Sequence, residues 1–384
     1  MEQEEPNKPE KKSFLKSWKT LKWHSKIYQI FIHGFALCGM AAIGAWAIYT
    51  MGLTNDKGYE DPYNRYLANY KQGGVTDSAK IYSNNLQNYI KLVSLDKVYS
   101  TNAHLIYEAT QGTNDPDLVN RMLYACDMYV QESERGKNYQ KMLDDINQVF
   151  SRYKLTATTE NAIPWMNDAG WTVLKRALAR DAKNIQKAAE ITGVDARLIA
   201  ACTVGEQIRL FNSKREDAKR RLGFMTMSVQ SQFSLGVNGI KDFTAAAVER
   251  NLKDSTSVYY MGKKYEHILD FPEGDSVDIA TARFNRLVDY HNNLYSFIYT
   301  GCILHQTMLQ WKRAGYDISH RPDILCTLFN LGFQASKPNA EPRCGGSRVS
   351  VGGRNYTFGV LGNDFFYSGE LSKEFPMSAT LFQD

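Results

Sequence analysis

Apolar positions along this chain recur mostly at steps of three and four, the period of helices buried on one face. Ile81, Leu86, Tyr89, Leu92 and Leu95 form one stripe within a helical stretch from about Asp77 to Tyr153. Gln111–Pro116 breaks that stretch, a second helix is expected over Asp117–Glu134, and Gly136 marks another break. Trp165, Trp171, Leu174 and Leu178 give the next stripe, between Pro164 and Lys187. Further helices are expected over Asp242–Asn251 and, as one long element, Ala280–Tyr316, ended by Gly315. Asn330 and Gly332 sit at the end of another. Near the C-terminus the period changes to two around Gly352-Gly353, which predicts a β-hairpin.

One apolar run is of a different kind. Between Lys26 and Asp56 there is no Asp, Glu, Lys or Arg. A membrane-spanning helix needs about 20 apolar residues, and a Lys-rich segment comes first. The expectation is a cytoplasmic basic tail over 1–26 and a single-pass transmembrane anchor over 27–53, rather than a cleaved signal peptide. Residues after about 53 then lie outside the cytoplasm, beyond a bacterial inner membrane. A helical juxtamembrane region, 54–155, and a main domain, 156–384, follow.

Charge and cysteine usage narrow the chemistry. The formal net charge is +5 over 384 residues, and seven Lys against four Glu place +3 of it before residue 27. The body is close to neutral, so nucleic acid is not an expected partner. None of the six Cys falls in a metal-binding spacing, and no metal or cofactor is expected. One disulfide or two are open outside the anchor, with no assignable pairing; Cys202 and Cys302 fall on apolar stripes, as buried thiols do.

The candidate chemistry lies in Val194–Phe211. Gly193 stops one helix and Asp195 reads as the N-cap of the next. Leu198, Cys202, Glu206 and Leu210 then share one face, apolar except for Glu206. A carboxyl group among aliphatic side chains loses hydration, which raises its pKa and suits a general acid. The alternative is a Glu206 that pairs with an Arg or lies at the stripe's edge. Downstream, Phe233–Thr244 (FSLGVNGIKDFT) holds Gly236 and Gly239 in a turn where backbone can approach a ligand or helix. The charged stretch 212–222 reads as a solvated face.

A helix with a buried Glu, a Gly-x-x-Gly-Ile turn, a long helix and an Asn-x-Gly helix end occur in that order. This order resembles the lysozyme-like superfamily, specifically the soluble-type lytic transglycosylases that cut bacterial peptidoglycan. The family's Gly-Leu-Met-Gln turn resembles Gly239-Ile240-Lys241-Asp242, and its Tyr-Asn-Ala-Gly element resembles Phe329-Asn330-Leu331-Gly332. The helix carrying Asn292, Asn293 and Gly301 resembles the one that supports the family's site. Gln207 stands where the family has Ser, Phe329 where it has Tyr, and Asp242 where it has Gln.

The resemblance implies a mainly α, lysozyme-like domain with a small C-terminal β-hairpin. It implies Glu206 as catalytic acid, and Ser234, Gly236, Gly239 and Asn330 as substrate-binding residues on peptidoglycan strands. A glycan-binding scaffold of an envelope or secretion assembly, with envelope-complex proteins as partners, is the alternative function. Asp242 is a candidate second carboxylate, placed by the motif alone. Trp311 and Tyr290 are expected in the core rather than as sugar platforms.

Overall fold

The computed structural model describes residues 23–50, 58–61, 78–111, 113, 115–144, 157–211, 238–272, 278–289 and 291–378. The charged stretch 212–222, Ser234, Gly236 and Tyr290, named above, lie outside the described residues. The chain divides into two compact units, Met1–Asp56 and Lys57–Asp384.

Among the described residues the first unit has one helix, α1 (Trp23–Thr50), with Phe31, Phe35, Leu37 and Met40 exposed. Among the described residues no helix is long and apolar enough to cross a membrane. The anchor expected over 27–53 runs past this helix, and residues 51–53 lie outside the described residues.

The second unit is mainly helical. Its elements are β1 (Tyr59–Glu60), α2 (Ser78–Asp96), α3 (Ser100–Ala109), α4 (Pro116–Glu132), α5 (Gly136–Asp144), α6 (Ala169–Thr192), α7 (Ala196–Phe211), α8 (Asp242–Lys253), α9 (Ile279–Val288), α10 (Leu294–Arg313), α11 (Pro322–Leu331), β2 (Gly345–Gly346), β3 (Arg348–Val351), β4 (Arg354–Thr357) and α12 (Phe358–Tyr367). Short 3₁₀ turns cover Pro164–Asn167, Lys263–Tyr265 and Phe333–Ala335.

The stripe of α6 sets the packing. Trp171, Leu174, Leu178, Ala182, Ile185, Ala188 and Thr192 are buried at three- and four-residue steps. Thr192 lies directly against Gly301 of α10, where a Cβ would overlap its side chain. The two helices therefore approach closely at that point. Every residue from Ser296 to Met308 is buried, so α10 runs through the interior. The helix α7 packs between α6, α11 and α12 and also touches α10 and β3.

The expected long helix is two helices. Asp289 Oδ1 accepts from the backbone N–H of His291 (2.9 Å) and Asn292 (3.2 Å), and Asn292 Oδ1 accepts from that of Leu294 (3.2 Å). These short polar side chains offer the backbone a competing partner, which ends α9 and starts α10.

The hairpin forms as expected. β3 pairs antiparallel with β4, Val351 opposite Arg354. Gly352 (φ 56°) and Gly353 (φ 79°) make the turn, which needs positive φ at both central positions. Val349, Val351 and Tyr356 point inward and Arg348 and Ser350 outward. A second small pair joins β1 to β2, Tyr59 opposite Gly346.

The helices α2–α5 share the core of the unit. Asn102 Nδ2 donates to Asn161 Oδ1 (2.8 Å), and Ser100 Oγ to the Thr158 carbonyl (3.1 Å). The buried Asp364 of α12 takes the Tyr129 hydroxyl (2.6 Å) and the Trp165 indole N–H (2.9 Å) on one oxygen. Burial first, and the Asp61 charge after it, push its pKa up to about 8, against those two hydrogen bonds.

Candidate functional site

The site grows from the start of α7. Gly193, in the left-handed region (φ 73°), closes α6. Asp195 Oδ1 then accepts from the backbone N–H of Arg197 (2.6 Å), the expected cap. Burial raises the Asp195 pKa to about 6. Arg197 is fully buried and donates to the carbonyls of Phe366 (2.6 Å), Glu370 (2.9 Å), Phe375 (3.0 Å) and Phe365 (3.0 Å). It ties the start of α7 to the end of α12. Burial pulls its pKa down to about 10.

Leu198, Ile199, Ala200, Ala201, Cys202 and Val204 have no exposed surface. Gly205 rests on the Phe358 ring, where a Cβ would lie 2.8 Å from two ring carbons. Small residues on this face let α12 come close. The next residue, Glu206, is 3 % exposed.

Among the described residues the Glu206 carboxylate meets two groups. The first is Gly239, the glycine the sequence placed in the ligand-approach turn. Its φ is +59°, and a Cβ there would lie 2.8 Å from Glu206 Cδ and overlap Oε1. Thirty-three positions separate the two in sequence, yet the backbone of one packs on the carboxylate of the other. The second is Arg209 of the same helix. Its Nη2 pairs with Glu206 Oε1, and its Nε donates to Oε2 (3.2 Å). The Arg209 side chain is 34 % exposed and covers a carboxylate that is almost wholly buried. Glu206 is therefore not alone among aliphatic side chains: of the two alternatives, the arginine pair is the one formed.

The other expected residues fall out as follows. Asn330, at the end of α11, accepts on Oδ1 from the Ser347 backbone N–H (2.8 Å). It holds the segment entering the hairpin. Phe329 packs its ring against Phe358 (6.2 Å between centroids). The same Phe358 ring supports Gly205. Asp242 is half exposed and pairs with Arg283 (3.2 Å). Arg283 also binds Glu249 through Nε (2.8 Å) and Nη2 (2.7 Å), so Asp242 belongs to an ion cluster between α8 and α9. Trp311 is buried and donates to Ser336 Oγ (2.9 Å), as a core residue.

Two residues at the site were missed. Arg209 was legible in principle, since an acidic and a basic residue three apart share a helix face. Asn238 lies between the two glycines of the turn. It is buried beside Gly239, donates to Thr300 Oγ1 (2.6 Å), and leaves its Oδ1 without a partner among the described residues. No group of three or more His, Cys, Asp or Glu among the described residues could hold a metal ion. Compared with protein-family models, curated proteins and solved structures, the chain matches none.

Proposed function

We propose that the unit Lys57–Asp384 is a lysozyme-like lytic transglycosylase of peptidoglycan, with Glu206 as its acid and then its base. The observation that carries this is the contact between Glu206 and Gly239. A buried helical carboxylate and a glycine turn, singled out separately in the sequence, meet at one point. Asn238, whose buried Oδ1 has no partner among the described residues, supports the proposal.

Most glycosidases place two carboxylates across the scissile bond. Asp242 is committed to Arg283, so a single-acid scheme fits this chain. Glu206 protonates the oxygen joining N-acetylmuramic acid to N-acetylglucosamine, and that C–O bond breaks. The resulting carboxylate takes the proton from the muramic C6 hydroxyl, whose oxygen bonds to C1 and closes a 1,6-anhydro ring. One group thus gives and regains one proton, and no water is consumed. For glycan to reach Glu206, the half-exposed Arg209 has to swing off it.

The pairing of Glu206 with Arg209 and the Phe at 329 favour a second function, a peptidoglycan-binding scaffold of an envelope assembly that does not cut. Incubating the protein with insoluble sacculi separates them: the enzyme releases soluble fragments, and the scaffold sediments with intact sacculi.

On the same proposal, residues 27–53 attach the chain to a bacterial inner membrane with the second unit outside the cytoplasm. Support comes from the charge-free run between Lys26 and Asp56 and the exposed apolar side chains of α1. Carbonate extraction of cell membranes tests it, against the hydropathy finding above.

A further inference from the structure

We propose that Cys202 and Cys326 form a dithiol that closes to an intramolecular disulfide when the chain folds under oxidising conditions. Cys202 lies on α7 and Cys326 on α11, 124 residues apart in sequence, with their sulfurs 3.7 Å apart. Both are fully buried. A disulfide needs an S–S distance of about 2.05 Å, and the remaining approach is small against the distance a sulfur moves on rotation about its Cα–Cβ bond. Room for the sulfur comes from Gly362 of α12, where a Cβ would overlap Cys326 Sγ and lie 2.8 Å from its Cβ.

The other thiols of this unit are differently engaged. Cys126 accepts from Asn102 Nδ2 (3.6 Å) and Cys344 faces the Thr327 hydroxyl (4.0 Å). Cys302 is buried in α10.

The position gives the pair its consequence. Cys202 stands one turn before Glu206 and Cys326 one turn before Asn330. A bond between them fixes α7 to α11 directly beneath the candidate site. In the reaction the two thiols give up two protons and two electrons and an S–S bond forms. A disulfide oxidant such as oxidised glutathione takes them up and leaves as two thiols. Both thiols are accessible before the core closes, and burial afterwards shields the bond from reductant. None of this depends on Glu206 acting as an acid.

The test refolds the full chain in a mixture of oxidised and reduced glutathione, then denatures it, blocks free thiols with N-ethylmaleimide and maps peptides by mass spectrometry. Expected is a linked Cys202–Cys326 peptide that disappears after dithiothreitol, with Cys126, Cys302 and Cys344 alkylated. Alkylation of Cys202 and Cys326 to the same extent as Cys302 in protein shown by circular dichroism to be folded overturns it. Denaturing and refolding in dithiothreitol, so that the bond is open to reductant, is also expected to lower the melting temperature of the wild type but not of the C202A/C326A double variant. Equal melting of the wild type with and without dithiothreitol contradicts the proposal.

Discussion

Gly239 presses its backbone on the carboxylate of Glu206, and no other residue type fits there. Its φ of +59° is strained for any residue with a Cβ, and that Cβ would overlap Oε1. Gly239→Ala therefore pays backbone strain and displaces the carboxylate together. The expected loss is about 1–3 kcal/mol, with loss of any glycan release. Denaturant unfolding checks it, and an unchanged midpoint contradicts the contact.

Asn330 is expected to matter for stability more than for glycan. Its Oδ1 accepts the Ser347 N–H, so Asn330→Ala leaves that donor without its partner. The cost is about 1–2 kcal/mol. Affinity for sacculi, measured by sedimentation at a temperature where the variant is folded, should stay at the wild-type level. A loss of binding without a loss of stability would return Asn330 to the substrate side.

Arg197 holds four carbonyls from the end of α12 and the segment after it. Arg197→Ala strands these acceptors in a dry interior and removes a side chain with no exposed surface. A loss of about 3–5 kcal/mol is expected, enough to unfold an ordinary domain partly at 37 °C. Lys at 197 cannot reproduce the planar fork and should rescue little. Thermal melts of the two variants check both statements.

Asp364 gives stability a definite pH dependence. Its carboxyl titrates at about 8 in the folded chain against an ordinary 3.8. Between those values the folded chain holds a proton the unfolded chain has lost. Stability therefore falls as pH rises through that window and levels off above about pH 8. Asp195, at about 6, adds the same slope over the lower part. Asp364→Asn removes the ionisation while keeping an acceptor for Tyr129 and Trp165. Relative to this variant, the wild type should lose up to about 1.4 kcal/mol per pH unit between about pH 5 and 8. A difference between the two proteins that does not change with pH refutes the assignment.

Local signals carried most of the helical layout. Gly193 and Asp195 marked a helix end and the next cap, and Gly352-Gly353 marked the hairpin turn; each acts through its own backbone or its nearest neighbours. The break at Asp289 was hidden because apolar residues keep a helical period across it, while the side chain that ends the helix bonds to backbone two and three residues on. The burial of Arg197 carries no local signal, since its four carbonyl partners come from a segment some 170 residues away. Glu206 was legible as a carboxylate on a buried face. That Gly239 would cover it, and that Cys202 would face Cys326, depends on packing between segments that no local pattern encodes.

The central claim is that Glu206 cuts glycan. Its most direct test is mass spectrometry of the products released from purified peptidoglycan by the wild type and by Glu206→Gln. The amide keeps the size and shape of the side chain, so the variant should fold and melt cooperatively. Anhydro-muropeptides from the wild type and none from folded Glu206→Gln are predicted. Equal release by both proteins, or intact sacculi with both, contradicts the claim, and the second result leaves the binding scaffold.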